Sequence, residues 1–291
     1  MAHILLRHFA AQHPRTSRLR KRRERPLRAV RPSKRNEMWY RSALGAIVNE
    51  CRAAGAELAN ALRPHWPRVT DETAPGLSEL LQRAAARFGN ISAVAKRLAD
   101  LAVRKNLGEV DERLAASILQ SVGVNIRPAL TDHGPIAAAM EDAAQANIDL
   151  ITSIPAQYLD DVRDVVNEAW STGARWEEVV ADISERGDVA ESRAALIARD
   201  QTAKLNSSFN EVRQTSLGIE RYTWSTSRDE RVRPSHRELD GRKFEWKDPP
   251  IVDGEAANPG MPINCRCVAL PLLDLDEAGA PPEAAQEAEA A

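Results

Sequence analysis

The stretch Ile263–Leu273, "INCRCVALPLL", decides how the C-terminal part of this 291-residue chain is read. A polar corner carrying two cysteines one residue apart runs into an apolar series of Val, Ala and Leu, the composition of a buried strand. Just before it, "KDPPIVDGEAANPGMP" (Lys247–Pro262) is a loop with four prolines. Further upstream, "IERYTWSTS" (Ile219–Ser227) alternates apolar and polar residues as a strand does. "RDERVRPSHRELDGRKFEW" (Arg228–Trp246) then supplies a charged turn, a short helical segment and a return strand with Phe244 and Trp246. The expectation is a small β-sheet closing against helices.

Outward from this sheet the period is helical. Tyr40, Leu44, Ile47, Val48, Cys51, Leu58 and Leu62 share one side of a 3.6-residue wheel that Pro64 ends. Helical patterns continue at 77–88, 91–103, with Val94, Leu98 and Leu101 as the apolar face, and 112–122, then from about Ile136 to Ile151. Separate helices are expected from Ile154 to near Gly173 and over 174–187, closed by Gly187, with another from about Ala190 to Ser216. That last helix has an apolar stripe of Leu205, Phe209 and Val212. It also has a polar stripe of Arg199, Thr202, Asn206, Asn210 and Arg213. Amides and guanidinium forks, in place of a Glu/Lys mixture, suit the satisfaction of irregular backbone, so the stripe reads either as a wet face or as a brace for the loops that follow. The fold class is therefore α+β: a helical N-terminal region followed by a C-terminal domain of helices and a small sheet.

Charge is divided unevenly. Lys plus Arg number 40 against 42 Asp plus Glu, yet residues 1–41 hold thirteen bases and two acids, a net of +11, and the segment from Asp274 onward holds only acids. Residues 1–35 read as a basic disordered arm and 274–291 as an acidic disordered tail. Arg18, Arg20, Lys21, Arg22 and Arg23 would give the arm a non-specific affinity for nucleic-acid phosphates. No apolar run approaches the 18–20 residues a membrane-spanning helix needs, so no membrane partner is expected. Three cysteines do not make a disulfide framework.

Cys265 and Cys267 admit three readings. Strand alternation makes them small packing residues at a corner, the reading that spacing alone favours. With His236 and Asp240, at i and i+4, they would make a four-ligand zinc set. A nucleophilic or redox role needs a histidine partner and an oxyanion hole, and one nearby histidine supports it weakly.

These motifs, taken together, resemble a known family. The Arg199–Thr202–Asn206 helix, Trp224 with Asp229, the His236–Asp240–Gly241 turn and the Asn264-Cys-Arg266-Cys end are similar to the Mu F-like phage head morphogenesis domain, over roughly Ile154–Leu273. Residues 131–273 are accordingly assigned to that domain, after a helical region over 36–130. In many members the turn also supplies a Cys-x-x-Cys, and a histidine precedes the final Asn-Cys-Arg-Cys. Here Arg233, His236 and Pro262 stand at those places, which leaves His236, Cys265 and Cys267 as candidate metal ligands. The resemblance puts a structural corner first, with His236, Asp240 and Arg266 holding the loop to the sheet, and a structural zinc second. It implies a non-enzymatic minor head protein acting in capsid assembly at the portal vertex. The portal, capsid and scaffold proteins are its partners, its place is the virion or procapsid, and the host cytoplasm is where assembly occurs. Contact with packaged DNA fits the basic arm. The competing reading is a zinc-dependent hydrolase or nuclease built on His236, Asp240, Cys265 and Cys267.

Overall fold

The computed structural model describes residues 24–66 and 76–274. In chain order it contains β1 (Glu24–Pro26), α1 (Lys34–Leu62), α2 (Leu77–Ala86), α3 (Ile91–Val122), α4 (Arg127–Leu130), α5 (Ala137–Thr172), α6 (Trp176–Ser216), β2 (Arg221–Ser225), α7 (Pro234–Arg237), β3 (Lys243–Glu245), β4 (Ile251–Val252), β5 (Glu255–Ala256) and β6 (Val268–Asp274). The α+β class holds: long helices, with the sheets in strands drawn almost entirely from the C-terminal region. Among the described residues, no helix is long and apolar enough to cross a membrane.

Contacts divide the chain into two compact units. One holds residues 34–104 and 141–202, and the other holds the described residues of 1–33, 105–140 and 203–291. The expected division at 36–130 and 131–273 follows chain order, whereas these units do not. Helices α3, α5 and α6 each contribute to both units, so a linear cut through the sequence does not separate the cores.

The first unit is helical. The stripe read on α1 is its buried face, with Tyr40, Leu44, Cys51 and Leu62 wholly enclosed. Burial pushes the Cys51 thiol up to about 12, the behaviour of a core residue. The helix expected to close near Gly173 does so, ending at Thr172, but it does not start afresh at Ile154, and the one expected to close at Gly187 continues. Helix α5 passes through Pro155 without ending, and α6 passes through Gly187. Gly187 is small because the stem of Arg52 lies against it. A Cβ there would meet Arg52 Cγ at 2.8 Å, and the Arg52 fork reaches Asp188 and Glu191 at 2.8 and 2.7 Å. Gly55 of α1 has a harder neighbour. An added Cβ would lie 2.0 Å from the Tyr158 hydroxyl and 3.0 Å from Ile183 Cγ2, so these helices approach at a distance only glycine permits. On α3 the inward residues are Ala95, Ala99 and Ala102, while Val94 and Leu101 are exposed. Small residues and Val103 took the close contact there; of the three expected to face inward, Leu98 is half-buried and Val94 and Leu101 are outside.

The second unit carries the sheet. Four antiparallel strands lie in the order β1-β6-β2-β3, so the stretch that opened the sequence reading supplies a central strand. Pro271 is tolerated there because β1 pairs only with 272–274. The Pro271 carbonyl accepts from Leu27 N–H at 2.8 Å, and the donor it lacks would face the point where the β1 ladder stops. Residues 24–33 were expected in the disordered arm and are not. They form β1 and a segment that exchanges hydrogen bonds with Ser117 through both backbone groups of Arg28. The Arg31 carbonyl takes Arg113 at 2.6 Å, and Leu27 and Val30 are buried. The apolar residues between the charges pulled this part out of the arm. Asp274 belongs to β6 and not to the tail. Arg18, Arg20, Lys21, Arg22, Arg23 and residues 275–291 lie outside the described residues.

The polar stripe of α6 is buried where it enters this unit: Asn206, Ser207, Asn210, Arg213 and Gln214 are all under 7 % exposed. Asn206 donates to the Val30 carbonyl at 3.0 Å, Ser207 to Pro259 O at 2.7 Å and Asn210 to Asn206 O at 2.6 Å. Arg213 forks onto Asp111 at 2.9 and 3.0 Å and donates to the carbonyls of Leu130 and Asp132. Burial holds the Asp111 carboxyl above its usual range despite that guanidinium, which marks the pair as an enclosed one.

Two outcomes are expected. Gly55→Ala gains helix propensity but overpacks against the enclosed Tyr158 ring, and should lower stability by about 1–3 kcal/mol, read as a drop in the thermal midpoint. Arg213→Ala strands Asp111 and two buried carbonyls and should cost about 3–5 kcal/mol. An unchanged urea midpoint for Arg213→Ala would show that the fork is dispensable.

Candidate functional site: the His–Cys–Cys corner

Strands β2 and β3 are joined by a long excursion over residues 226–240, pinched at its base where Gly241 N–H donates to Trp224 O and Trp224 N–H to Arg242 O, each at 2.8 Å. The one-turn helix α7 sits inside it. Pro234 at its start and the i→i−4 bonds from Arg237 and Glu238 hold that turn and deliver His236 inward, 3 % exposed. The loop from β3 to β6, read as a loop with four prolines, contains the β4–β5 hairpin. Its turn is Asp253–Gly254, with φ of +55° and +95°, the left-handed pair that a two-residue hairpin requires. The approach to β6 is a tight turn, Cys265 N–H to Pro262 O at 3.0 Å, with Asn264 at φ +59°.

These elements converge. His236 Nδ1 lies 3.5 Å from Cys265 Sγ and 3.5 Å from Cys267 Sγ. One donor atom from each of the three residues falls within 4.8 Å of the others, and all three residues are buried. The His236 ring stands edge-on to Trp224, centroids 5.8 Å apart. The thiols belong to a core of Tyr222, Trp224, Leu239, Trp246, Val252 and Ala269. The two sulfurs interact: Cys267 lowers Cys265, helped by backbone N–H groups of Cys267 and Gly260, while Cys265 pushes Cys267 up. Trp224 Nε1 is a buried donor without a hydrogen-bond acceptor. A void of about 20 Å³ adjoins the trio, enough for roughly one water-sized group. Ser227, whose buried Oγ has no partner, and Arg231 and Arg266 line it too.

The residues expected to form one corner are placed in three clusters. Asp240 is outside the donor group. Its Oδ1 takes the Thr226 N–H at 2.8 Å and hydroxyl at 3.1 Å, and its Oδ2 faces Arg228 at 3.3 Å. Those bonds lower its carboxyl. The one-turn length of α7 is the reason, because the i, i+4 geometry assumed for His236 and Asp240 needs the helix to continue past Arg237. Asp229 forms a bidentate pair with Arg266, whose fork lowers it; this ties the first turn of the excursion to the residue between the cysteines. Trp224 and Gly241 frame the base of the excursion, and Asn264 turns the chain into the cysteines. Arg199 is exposed, and Thr202, in the helical unit, donates back to Ala198 O at 2.7 Å; neither is part of the corner. The link from α6 to the sheet runs through residues the stripe reading passed over. Gln214 accepts from Trp246 Nε1 at 3.2 Å, and Asn258 accepts from the Tyr222 hydroxyl at 2.8 Å.

Asp253 was missed altogether. Its Oδ2 is 3.2 Å from His236 Nε2 and 2.6 Å from Arg233 Nη1, and its Oδ1 accepts from Ser235 at 2.7 Å. These donors, Ser235 foremost, hold its carboxyl low. The signal existed, since Asp-Gly between short apolar runs is a hairpin mark.

Two thiols and an imidazole nitrogen at one point form a donor set suited to zinc among common metals. The orphaned Trp224 N–H and the backbone donors on the sulfurs suit thiolates, so the residues present fit three of four ligands.

Comparison with known proteins bears on this same segment. An uncharacterised protein of Haemophilus influenzae is 32% identical over 263 residues, 88% of this chain and 58% of that protein. An uncharacterised protein of Methanocaldococcus jannaschii is 29% identical over 143 residues, 46% of this chain and 22% of that protein. The chain thus spans less than two thirds of the curated relatives it matches. No solved structure matches it significantly. Residues 160–270, which run from α5 through the whole His–Cys–Cys corner into β6, match the family model described as Phage Mu protein F like protein.

Proposed function

We propose that this chain is a non-enzymatic minor head protein that acts in phage head assembly at the portal vertex, with its corner held by a structural zinc ion. The observation that carries the assembly reading is the family match over residues 160–270. The corner supports a structural role. Its polar groups are mostly spent on one another: Asp229 on Arg266, Asp240 on Thr226, Asp253 on Ser235, Arg233 and His236. The hydrolase reading loses the carboxylate it depended on, because Asp240 stands outside the donor group. A bound zinc would cross-link α7 to the chain entering β6. The portal, coat or scaffold proteins are the partners of this reading, and the virion or procapsid its location. The basic residues Arg18, Arg20, Lys21, Arg22 and Arg23 supply non-specific contact with packaged DNA.

Three measurements test these statements. Procapsids assembled from the cognate portal and coat proteins should contain this chain in a few copies per particle, and shells assembled without portal should lack it; equal incorporation into both would remove the portal assignment. Purified protein should carry one equivalent of zinc, and chelator, Cys265→Ser or Cys267→Ser should each melt the sheet-bearing unit early. Metal-free protein with an unchanged midpoint in chelator would return the thiols to ordinary packing. For the arm, binding to unrelated duplexes should be equal and fall steeply with salt, by about one log–log unit per neutralised phosphate. Deletion of residues 1–23 should abolish it, and affinity that survives the deletion would sink the idea.

A further inference from the structure

We propose that Asp253 is a positioning residue: it fixes the tautomer of His236 so that Nδ1 presents its lone pair to the two cysteine sulfurs. The inference deepens the zinc reading and rests on it. A neutral imidazole carries one N–H and one lone pair, and which nitrogen holds the proton is set by what the other ring atoms face. His236 Nε2 faces a carboxylate oxygen of Asp253 at 3.2 Å. The Asp253 oxygens already accept from the Arg233 guanidinium and the Ser235 hydroxyl, so the carboxylate stands as an acceptor and the facing nitrogen carries the hydrogen. The opposite nitrogen, Nδ1, is then the free donor, and it is the one that lies 3.5 Å from each sulfur. The arrangement is a carboxylate–histidine–metal relay, in which the carboxylate orients the ring and raises its basicity.

Asp253 is itself locked in place, which is what a positioning role demands. It occupies the first place of the hairpin turn at φ +55°, clamped by the pairs Ile251–Ala256 and Val252–Glu255. Ser235, one residue before His236, bonds its other oxygen at 2.7 Å. Arg233 joins it at 2.6 Å and also donates to the Ile263 carbonyl at 2.6 Å, two residues before Cys265. One carboxylate thus ties the histidine's helix, the hairpin and the cysteine turn together. A hairpin that only covered the core would have no need of an aspartate aimed at a buried imidazole.

The test uses the full chain and zinc alone. Asp253→Gly removes the carboxylate while accepting the left-handed backbone, and Asp253→Asn keeps an acceptor oxygen and tolerates that backbone. Zinc affinity is read by competition with a chromophoric chelator, and the His236 tautomer by long-range proton–nitrogen NMR of the imidazole in metal-free protein. Wild type should bind one zinc and show the Nε2–H tautomer. Asp253→Gly should bind about 10–100-fold more weakly and show a mixture of tautomers, and Asp253→Asn should retain the tautomer and recover most of the affinity. Wild-type affinity together with an unmixed tautomer in Asp253→Gly would overturn this assignment and leave the zinc reading intact. A wild-type protein that takes up no zinc would overturn both.

Discussion

A buried polar group must find a partner, and the sheet-bearing unit is organised around that requirement as it applies to one helix face. The C-terminal half of α6 turns amides, a hydroxyl and a guanidinium inward, where each unmade bond would cost about 1–3 kcal/mol. Their partners are backbone carbonyls and one carboxylate gathered from far along the chain: Val30 before α1, Asp111 on α3, Leu130 at the end of α4, Asp132 in the turn before α5, and Pro259 before β6. An apolar face would have accepted many neighbours. This one accepts only those whose carbonyls and carboxylates arrive in register, so it selects one arrangement of the segments that hold the sheet.

The His–Cys–Cys corner depends on that arrangement at one remove. Ser207 of α6 fixes Pro259, and beside it Gly260, at φ +96°, lies where a Cβ would come within 3.2 Å of Ser207 Cβ and 3.6 Å of Cys267 O. The chain can therefore pass close beneath the helix and enter β6 with both thiols turned into the core. From the other side, the excursion between β2 and β3 is long enough to fold a one-turn helix over the same spot. The donor trio is a meeting of two loops, each pinned to regular structure at its base. That explains why so much of the corner is ionic and hydrogen-bonded: short loops bury too little apolar surface to hold themselves. It also explains why a metal cross-link suits it.

Where the local pattern was strong, the sequence was legible. The α1 stripe from Tyr40 to Leu62, the strands around Trp224 and Phe244, and the strand after Cys267 follow from periodicity alone, and the α+β class with them. Glycine misled at Gly187, because the pattern cannot distinguish a helix end from a residue kept small for a neighbour's side chain. Val94 and Leu101 misled in the opposite sense: apolar spacing marks a candidate face, but on α3 the alanine face offered the closer approach. The arm was overextended to residue 35 because its charges hide Leu27 and Val30, which matter only once a sheet edge and Ser117 are present to receive them.

What this sequence determined by itself is the set of chemical types and their local periods: helix and strand stretches, a histidine and two cysteines capable of holding a soft cation, and the motifs of the Mu F-like span. Which of those residues meet was decided by tertiary structure. His236 reaches Cys265 and Cys267 across gaps of 29 and 31 residues, and Asp253 replaces Asp240 as the histidine's neighbour. The physical reason is that α7 ends after a single turn while an Asp-Gly hairpin folds back over it. Spacing rules act only along a continuous element, and here the chain changes direction between His236 and Asp253 and again before Cys265.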